Sequence, residues 1–207
     1  MPHDNSFEPN RLPVQGFGDA PATGEVLVRY GAAIFDSMTQ LRFKAATSAT
    51  VEPIDPSSAS NAERIHAVQM AAYAQEAQLI GVTDFPPLHR TPEDVRSSTG
   101  RFLGAYVAEE LVGIAGMESE GEADICISSF VVHPAWQRRG VGRVLLHRLC
   151  ERYRSGVLSV ETATRNIPAL ALYRQAGFTE ARRWFVDDGS LELVRLHRRP
   201  ANAQDVA

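Results

Sequence analysis

Ile127-Ser-Ser-Phe-Val-Val-His-Pro-Ala-Trp-Gln-Arg-Arg-Gly-Val-Gly-Arg-Val-Leu-Leu146 reads as an apolar strand, a proline-marked turn, a basic glycine loop and an amphipathic helix. The strand is expected over Ile125 to Val132, where Phe130, Val131 and Val132 supply β-favouring bulk. Pro134 stops it, because proline brings no N–H to a ladder. Past Gly140 the apolar residues Val141, Val144, Leu145 and Leu149 recur at helical spacing, which predicts a helix opening near Gly140 or Gly142. The first amides of a helix have no partner within it. Two glycines let another molecule approach that backbone, and Arg138, Arg139 and Arg143 add positive charge. Free donors and the positive end of the helix dipole together suit a phosphate. The plainer reading is a glycine-rich turn ahead of a core helix.

Two common phosphate motifs fail here. The dinucleotide fingerprint needs a third glycine where this chain has Leu145, and the P-loop needs a lysine after its glycine, whereas the sole lysine is Lys44. Charge is unevenly spread. Residues 1–136 hold 8 Lys/Arg against 18 Asp/Glu, and residues 137–199 hold 13 Arg against 6 acids. The basic half contains the glycine loop, as an anionic small ligand would favour; a solvated arginine face is the alternative. A net charge of −4 gives no support to nucleic-acid binding.

A chain of 207 residues, 44% hydrophobic and 22% charged, fits one soluble domain with extensions. No apolar run approaches the ~20 residues that cross a bilayer. Asp4 and Glu8 stand where a secretory signal would be basic. A cytoplasmic location, no membrane partner and no bound metal are the corresponding expectations. Cys126 and Cys150 form neither a ligand set nor a disulfide framework and read as free thiols.

Residues 1–24, with Pro2, Pro9, Pro13 and Pro21, read as a leader. Between Glu25 and Phe43, Leu27, Tyr30, Ile34, Met38 and Leu41 share a helical stripe, for packing on the domain or on a second subunit in a homodimer. The domain proper is expected over 46–198, with a tail over 199–207. It opens with a strand at Ala46–Ile54, then a helix from a capping box at Ser60-Asn61-Ala62-Glu63 with Ile65, Val68 and Ala72 inward. Thr91-Pro92-Glu93-Asp94 starts a short second helix. Strands follow at Phe102–Glu109 and Leu111–Glu118, turning at Glu109-Glu110. The glycine-loop helix ends near Ser155-Gly156, and another strand covers Val157–Thr162. Asn166 caps a helix with Pro168 in its first turn, a stripe of Ala169, Leu172, Tyr173 and Ala176, and Gly177 at its left-handed end. Ala181–Val186 and Leu191–Leu196 flank the hairpin signal Asp187-Asp188-Gly189-Ser190. This order gives an α/β domain, a mixed sheet with helices on both faces.

Two motifs in this order carry a family resemblance. Gln137-x-x-Gly140-x-Gly142 after Val132-His133-Pro134 resembles the acetyl-CoA loop of the GNAT superfamily of N-acetyltransferases. Glu161, Asn166 and then Ala169-x-x-Leu172-Tyr173-x-x-x-Gly177-Phe178 resemble its second pattern, closest to the ribosomal-protein and amino-terminal acetyltransferases. The resemblance covers roughly 46–198 and implies the GNAT fold, with a mostly antiparallel central sheet.

It also implies a chemistry. The cosubstrate would be acetyl-CoA, its pyrophosphate over the amides of Arg138, Arg139, Gly140, Val141, Gly142 and Arg143. Its pantetheine arm would pair with the backbone of Phe130, Val131 and Val132, where an amide would serve as oxyanion donor. Asn166 matches a CoA-contacting position and is equally a helix cap. Tyr173 matches the acid that protonates the leaving sulfur: a phenol of pKa ~10 stays protonated at neutral pH and can donate to a thiolate. For the base, the family's central-strand glutamate is replaced by Cys126. Glu161 matches the family's other location and is the expected base, with Asp124 acting through a water as the alternative. The acceptor is a small-molecule amine or a protein amino group, met by the region 60–100, where His66, Tyr73, Asp84, Phe85 and His89 stand. A non-catalytic acetyl-CoA sensor or scaffold is the rival reading.

Overall fold

The computed structural model describes residues 48–186 and 189–200, within the compact unit that begins at Ala46. The expected leader, the 25–43 helix and the final residues lie outside the described residues, as do Asp187 and Asp188 of the last hairpin.

Strand β1 (Thr50–Ile54) leads into helix α1 (Ala59–Ile80), a 3-10 turn at Pro86–His89 and the short helix α2 (Pro92–Arg96). Strands β2 (Arg101–Val107), β3 (Glu110–Ser119) and β4 (Ile125–Val132) follow, then helix α3 (Val141–Arg152). Strand β5 (Leu158–Ala163), helix α4 (Ile167–Gln175) and strands β6 (Thr179–Val186) and β7 (Leu191–Arg198) complete the described fold. The seven strands form one sheet in the order β1-β2-β3-β4-β5-β7-β6. Every neighbouring pair is antiparallel except β4 and β5.

Strand alternation sends successive side chains to opposite faces of this sheet, and each face acquires its own core. Helices α3 and α4 bury Leu145, Leu149, Leu170 and Tyr173 with Val112, Ala115, Ile127 and Val160 on one side. Helix α1 and α2 bury Ile65, Val68, Ala72 and Val95 with Ile114 and Val131 on the other. The expected inward residues of α1 are therefore correct, and the mixed sheet has helices on both faces.

Several local expectations need correction. The turn between β2 and β3 is Ala108-Glu109, both with positive φ (47° and 69°), one residue earlier than Glu109-Glu110. The capping box at Ser60 does not form. Helix α1 opens at Ala59, and the preceding turn is organised by Asp55, whose carboxylate accepts from the Ser57 amide (2.9 Å) and hydroxyl (2.9 Å). The Asn61 amide donates to the Asp55 carbonyl (3.0 Å) and so is committed to the turn. By contrast, Thr91 and Asp94 do cap α2 reciprocally. Leu170, absent from the expected stripe of α4, is one of its two buried residues with Tyr173; Ala169, Leu172 and Ala176 are half-buried. Helix α3 ends at Arg152, short of Ser155, and β1 begins at Thr50 instead of Ala46.

Gly156 shows why the connection into β5 tolerates no side chain. A Cβ there would stand 1.9 Å from the carbonyl oxygen of Ala123, a backbone atom that cannot swing aside. Overpacking of this kind costs ~1–3 kcal/mol or more. Gly156→Ala is therefore expected to lower the urea midpoint of unfolding by at least that margin, and an unchanged midpoint would mean that the two backbones are not in contact.

Candidate active site

The parallel pair β4–β5 is short. Its register covers only Ile125↔Leu158, Cys126↔Ser159 and Ile127↔Val160. Beyond those residues β4 continues to Val132 and β5 to Ala163 without pairing to one another. A bulge sits at the point of divergence. Gly116 of β3 faces Ser129 while Met117 faces Ile127, so Ser128 is the extra residue on β4. Such a bulge bends the strand and re-aims its side chains. It turns Ser129 toward α1 and Phe130 toward α4, and it leaves the β5-facing edge of β4 from Ser128 onward free of a neighbouring strand.

The glycine loop closes over the end of that gap. Gln137 fixes it: its amide nitrogen donates to the Val132 carbonyl (3.0 Å) and to Gln75 on α1 (2.6 Å). Gly140 is the N-cap of α3 at φ 89°, a left-handed conformation that glycine adopts without steric cost. It offers no side-chain cap, and the first intrahelical bond runs from Val144 to Gly140 (3.1 Å). The amides of Val141, Gly142 and Arg143 are thus the unpaired donors of a twelve-residue helix. Arg138 and Arg143 are exposed beside them, and Arg139 lies 5.0 Å over the Trp136 ring. Packing does not demand a glycine at 142. A Cβ there would meet Leu172 and Val132 at 3.5 Å, an ordinary contact.

On the α4 side of the gap stands Tyr173. Its ring is 3% exposed and packs edge-on to Phe130 (centroids 5.9 Å) and against Phe178 (5.5 Å). Its hydroxyl has no hydrogen-bond partner among the described residues, yet it is not among the sealed, unsatisfied atoms. The phenol tip therefore reaches open space. Burial, reinforced by the nearby Glu76 carboxylate, pushes the Tyr173 phenol far above its usual range, so it is a fully protonated donor at any ordinary pH.

Glu76, in the last turns of α1, is the residue that sequence reading missed. No motif marks it, and only the hydrogen bond between the end of α1 and the N-cap of α4 brings it to the site. The Asn166 amide donates to one of its carboxylate oxygens (2.8 Å), while Asn166's own oxygen caps α4 by accepting from the Ala169 amide (3.2 Å). Burial lifts the Glu76 carboxyl above the usual carboxylate range against the pull of that hydrogen bond. One helical turn earlier, Tyr73 shares a hydrogen bond with Ser129 at the bulge (2.8 Å), and Gln69 donates to the same hydroxyl (3.1 Å).

Glu161 lies in a different cluster. Its carboxylate accepts from Arg195 on β7 (3.0 Å); Arg195 also binds Glu120 and the Ser159 hydroxyl (2.9 Å). Asp124 accepts from the Val157 amide (2.9 Å) and holds the start of β5. Cys126 is a half-buried free thiol whose pKa burial raises. Of the region expected to meet the acceptor, Tyr73 packs edge-on to Phe85 (5.9 Å), His66 bonds the Arg90 carbonyl (2.9 Å), and Asp84 pairs with His89 (3.0 Å). The structure therefore joins Tyr173, Asn166, Phe130 and the glycine loop around one gap. It adds Glu76 and Tyr73 and leaves Glu161 bound to Arg195.

The sequence profile of the Acetyltransferase (GNAT) family matches residues 65–178. Over 107 residues the chain is 39% identical to N-alpha-acetyltransferase RimI of Mycobacterium tuberculosis, covering 50% of this chain and 67% of that one. Over 132 residues it is 35% identical to UPF0157 protein YqkA of Bacillus subtilis, 63% of this chain but only 38% of the length of that relative. Among solved structures, the ribosomal-protein-S18-alanine N-acetyltransferase of Escherichia coli superposes with a TM-score of 0.60 at 18% identity, covering 77% of this chain and 98% of that one. A Salmonella typhimurium structure, yncA, described as a putative acetyltransferase with its cofactor acetyl-CoA, gives a TM-score of 0.57 at 18% identity, with coverages of 75% and 96%. At such identities the likeness is one of fold.

The Glu76 environment has a thermodynamic signature. A carboxyl whose pKa is raised on folding keeps its proton where the unfolded chain, titrating near ~4.3, has already released it. Its contribution to stability therefore falls as pH rises from that value through the folded one. Glu76→Gln keeps the acceptor for Asn166 and removes the titration. The variant is expected to gain stability relative to wild type between pH 4 and pH 8 in urea unfolding, and a relative loss over that range would reverse the sign assigned to this group.

Proposed function

The chain belongs to the GNAT acetyltransferase family, and from that premise we propose that it transfers the acetyl group of acetyl-CoA directly to a primary amine. The observation that carries this reading is the unbonded hydroxyl of the otherwise buried Tyr173, beside the gap between β4 and β5. A hydroxyl with no protein partner in that position is suited to meet a group on a bound substrate.

The uncapped start of α3 suits the pyrophosphate of acetyl-CoA: three free amides, the helix dipole and the exposed Arg138 and Arg143 act together. Arg139 adds charge from its stack on Trp136. The unpaired edge of Phe130, Val131 and Val132 suits an extended pantetheine arm lying as a further strand. An amide on that edge would donate to the oxyanion that forms when the amine nitrogen attacks the thioester carbonyl. As the carbon–sulfur bond breaks, the thiolate takes the proton of Tyr173. Asn166 supports the site from the cap of α4. Glu161, the base expected from the sequence, has its carboxylate already bound to Arg195.

The acceptor we favour is a protein amino terminus. RimI and the S18-alanine enzyme are named for such substrates, and the present chain shares extended identity with the first and its fold with the second.

Calorimetric titration with acetyl-CoA, followed by thiol release across short peptides with free amino termini, polyamines and amino acids, tests the reading. Wild type should bind and release thiol with at least one amine, and Tyr173→Phe should lower kcat by ~10²-fold or more with little change in acetyl-CoA affinity. Gly142→Ala should fold with unchanged or slightly higher Tm, because alanine favours a helix by about 1 kcal/mol over glycine. The same variant should bind acetyl-CoA about tenfold more weakly, a loss of ~1.4 kcal/mol. Binding without release from any amine would favour a sensor, and no binding would end the proposal.

A further inference from the structure

We propose that Glu76 is the general base of the site, taking the proton of the acceptor's ammonium group directly or through one water. The inference rests on the acetyltransferase reading above and deepens it, because it reassigns the deprotonation step from strand β5 to the end of helix α1.

Geometry carries the assignment. One oxygen of Glu76 is held by Asn166 at 2.8 Å, and Asn166 is itself fixed by capping α4, so the carboxylate is oriented by a group that cannot readily turn away. The second oxygen bonds no described residue and is not among the sealed unsatisfied atoms, so it is open to an incoming group. The groups facing Glu76 are Tyr73 from its own helix and Tyr173 and Asn166 from α4, each neutral at neutral pH. Among the described residues no arginine or lysine bonds to it. Glu161 differs on each count: Arg195 occupies it at 3.0 Å, and its side chain is 43% exposed. A carboxylate already neutralised by a guanidinium attracts a proton less well than one that faces only neutral groups. Half-burial raises the proton affinity of Glu76 further, toward the range a base needs at neutral pH.

The placement also links the two proton transfers. While Glu76 is ionised, its charge opposes ionisation of Tyr173. When Glu76 takes a proton from R–NH3+, the nitrogen gains its lone pair, and the charge opposing Tyr173 disappears. The amine then forms the C–N bond, and collapse of the tetrahedral intermediate expels the thiolate. Tyr173 gives that thiolate its proton, and the resulting phenolate takes the second proton of the former ammonium nitrogen. Glu76 returns the first proton to solvent. One acetyl group moves, one proton is released, and every group regains its starting state.

The test uses the full chain, Glu76→Gln and Glu161→Gln, with the fastest acceptor found in the amine panel. Glu76→Gln is expected to bind acetyl-CoA as wild type does and to have a Tm no lower than wild type, in keeping with the raised pKa of the carboxyl it replaces. Its kcat/KM at pH 7 is expected to fall by ~10²-fold or more. The wild-type kcat/KM profile should show an acidic limb set by Glu76; in Glu76→Gln it is replaced by a rise governed by the acceptor amine alone, so the deficit should narrow as pH approaches the pKa of the free amine. Glu161→Gln should retain the limb. A Glu76→Gln variant within threefold of wild type at pH 7, or a limb lost in Glu161→Gln instead, would overturn the assignment while leaving the acetyltransferase reading intact. Failure of wild type to bind acetyl-CoA would instead refute that parent reading.

Discussion

Strands β4 and β5 run parallel for three residue pairs and then separate, and the site follows from that separation. Buried backbone N–H and C=O groups must find partners, and a strand that loses its neighbour in mid-sheet keeps a row of them unpaired. The bulge at Ser128 bends β4 away, and Phe130 and Tyr173 occupy the α4 side of the opening, where another strand's side chains would otherwise pack. The edge of β4 beyond Ile127 is therefore left without a strand partner in the middle of the sheet.

The electrostatics of the gap are arranged by burial and not by charge pairing. The ion pairs of the described residues lie largely on exposed faces, where such pairs contribute little. Around the gap the groups are a phenol without a partner, a carboxyl held by an amide, and a serine shared by Tyr73 and Gln69. Each carries a desolvation cost that a purely structural core would avoid. Local departures from good packing chemistry of this sort gather where a protein does its work. The glycine loop fits the same pattern. Arg138 sits at φ 61°, a conformation that costs an L-residue about 1–2 kcal/mol, next to a helix start with nothing to cap it.

Much of this was legible in the sequence, for identifiable reasons. The strand–loop–helix of 125–152 announces itself through Pro134, two glycines and the spacing of Leu145 and Leu149, all local signals. Asn166, Tyr173 and Gly177 do the same for α4. Glu76 was not legible, because its role depends on contacts ninety residues away with Asn166, and no local pattern separates it from any other helical glutamate. The bond between Glu161 and Arg195 was hidden for the same reason: it depends on the pairing of β5 with β7 across the end of the chain. Leu170 was passed over because Ile167, Leu170 and Leu172 are equally apolar, and only the docked helix reveals which of them points inward; Ile167 is 66% exposed. At the start of α1 the Ser-x-x-Glu pattern was present, but Asp55 had already committed the neighbouring polar groups to a turn.

The two outermost strands of the described sheet carry a consequence for how the chain behaves in a crowd of its own kind. Strand β1 has Pro53 as its penultimate residue, which contributes no donor to any further strand. Strand β6 presents Glu180, Arg182 and Arg183, all exposed, at the opposite border. Proline on one flank and charge on the other are the two common ways of discouraging edge-to-edge growth. A sheet that holds an unpaired backbone inside itself is thus bordered, among its described strands, by edges that discourage pairing with a second copy.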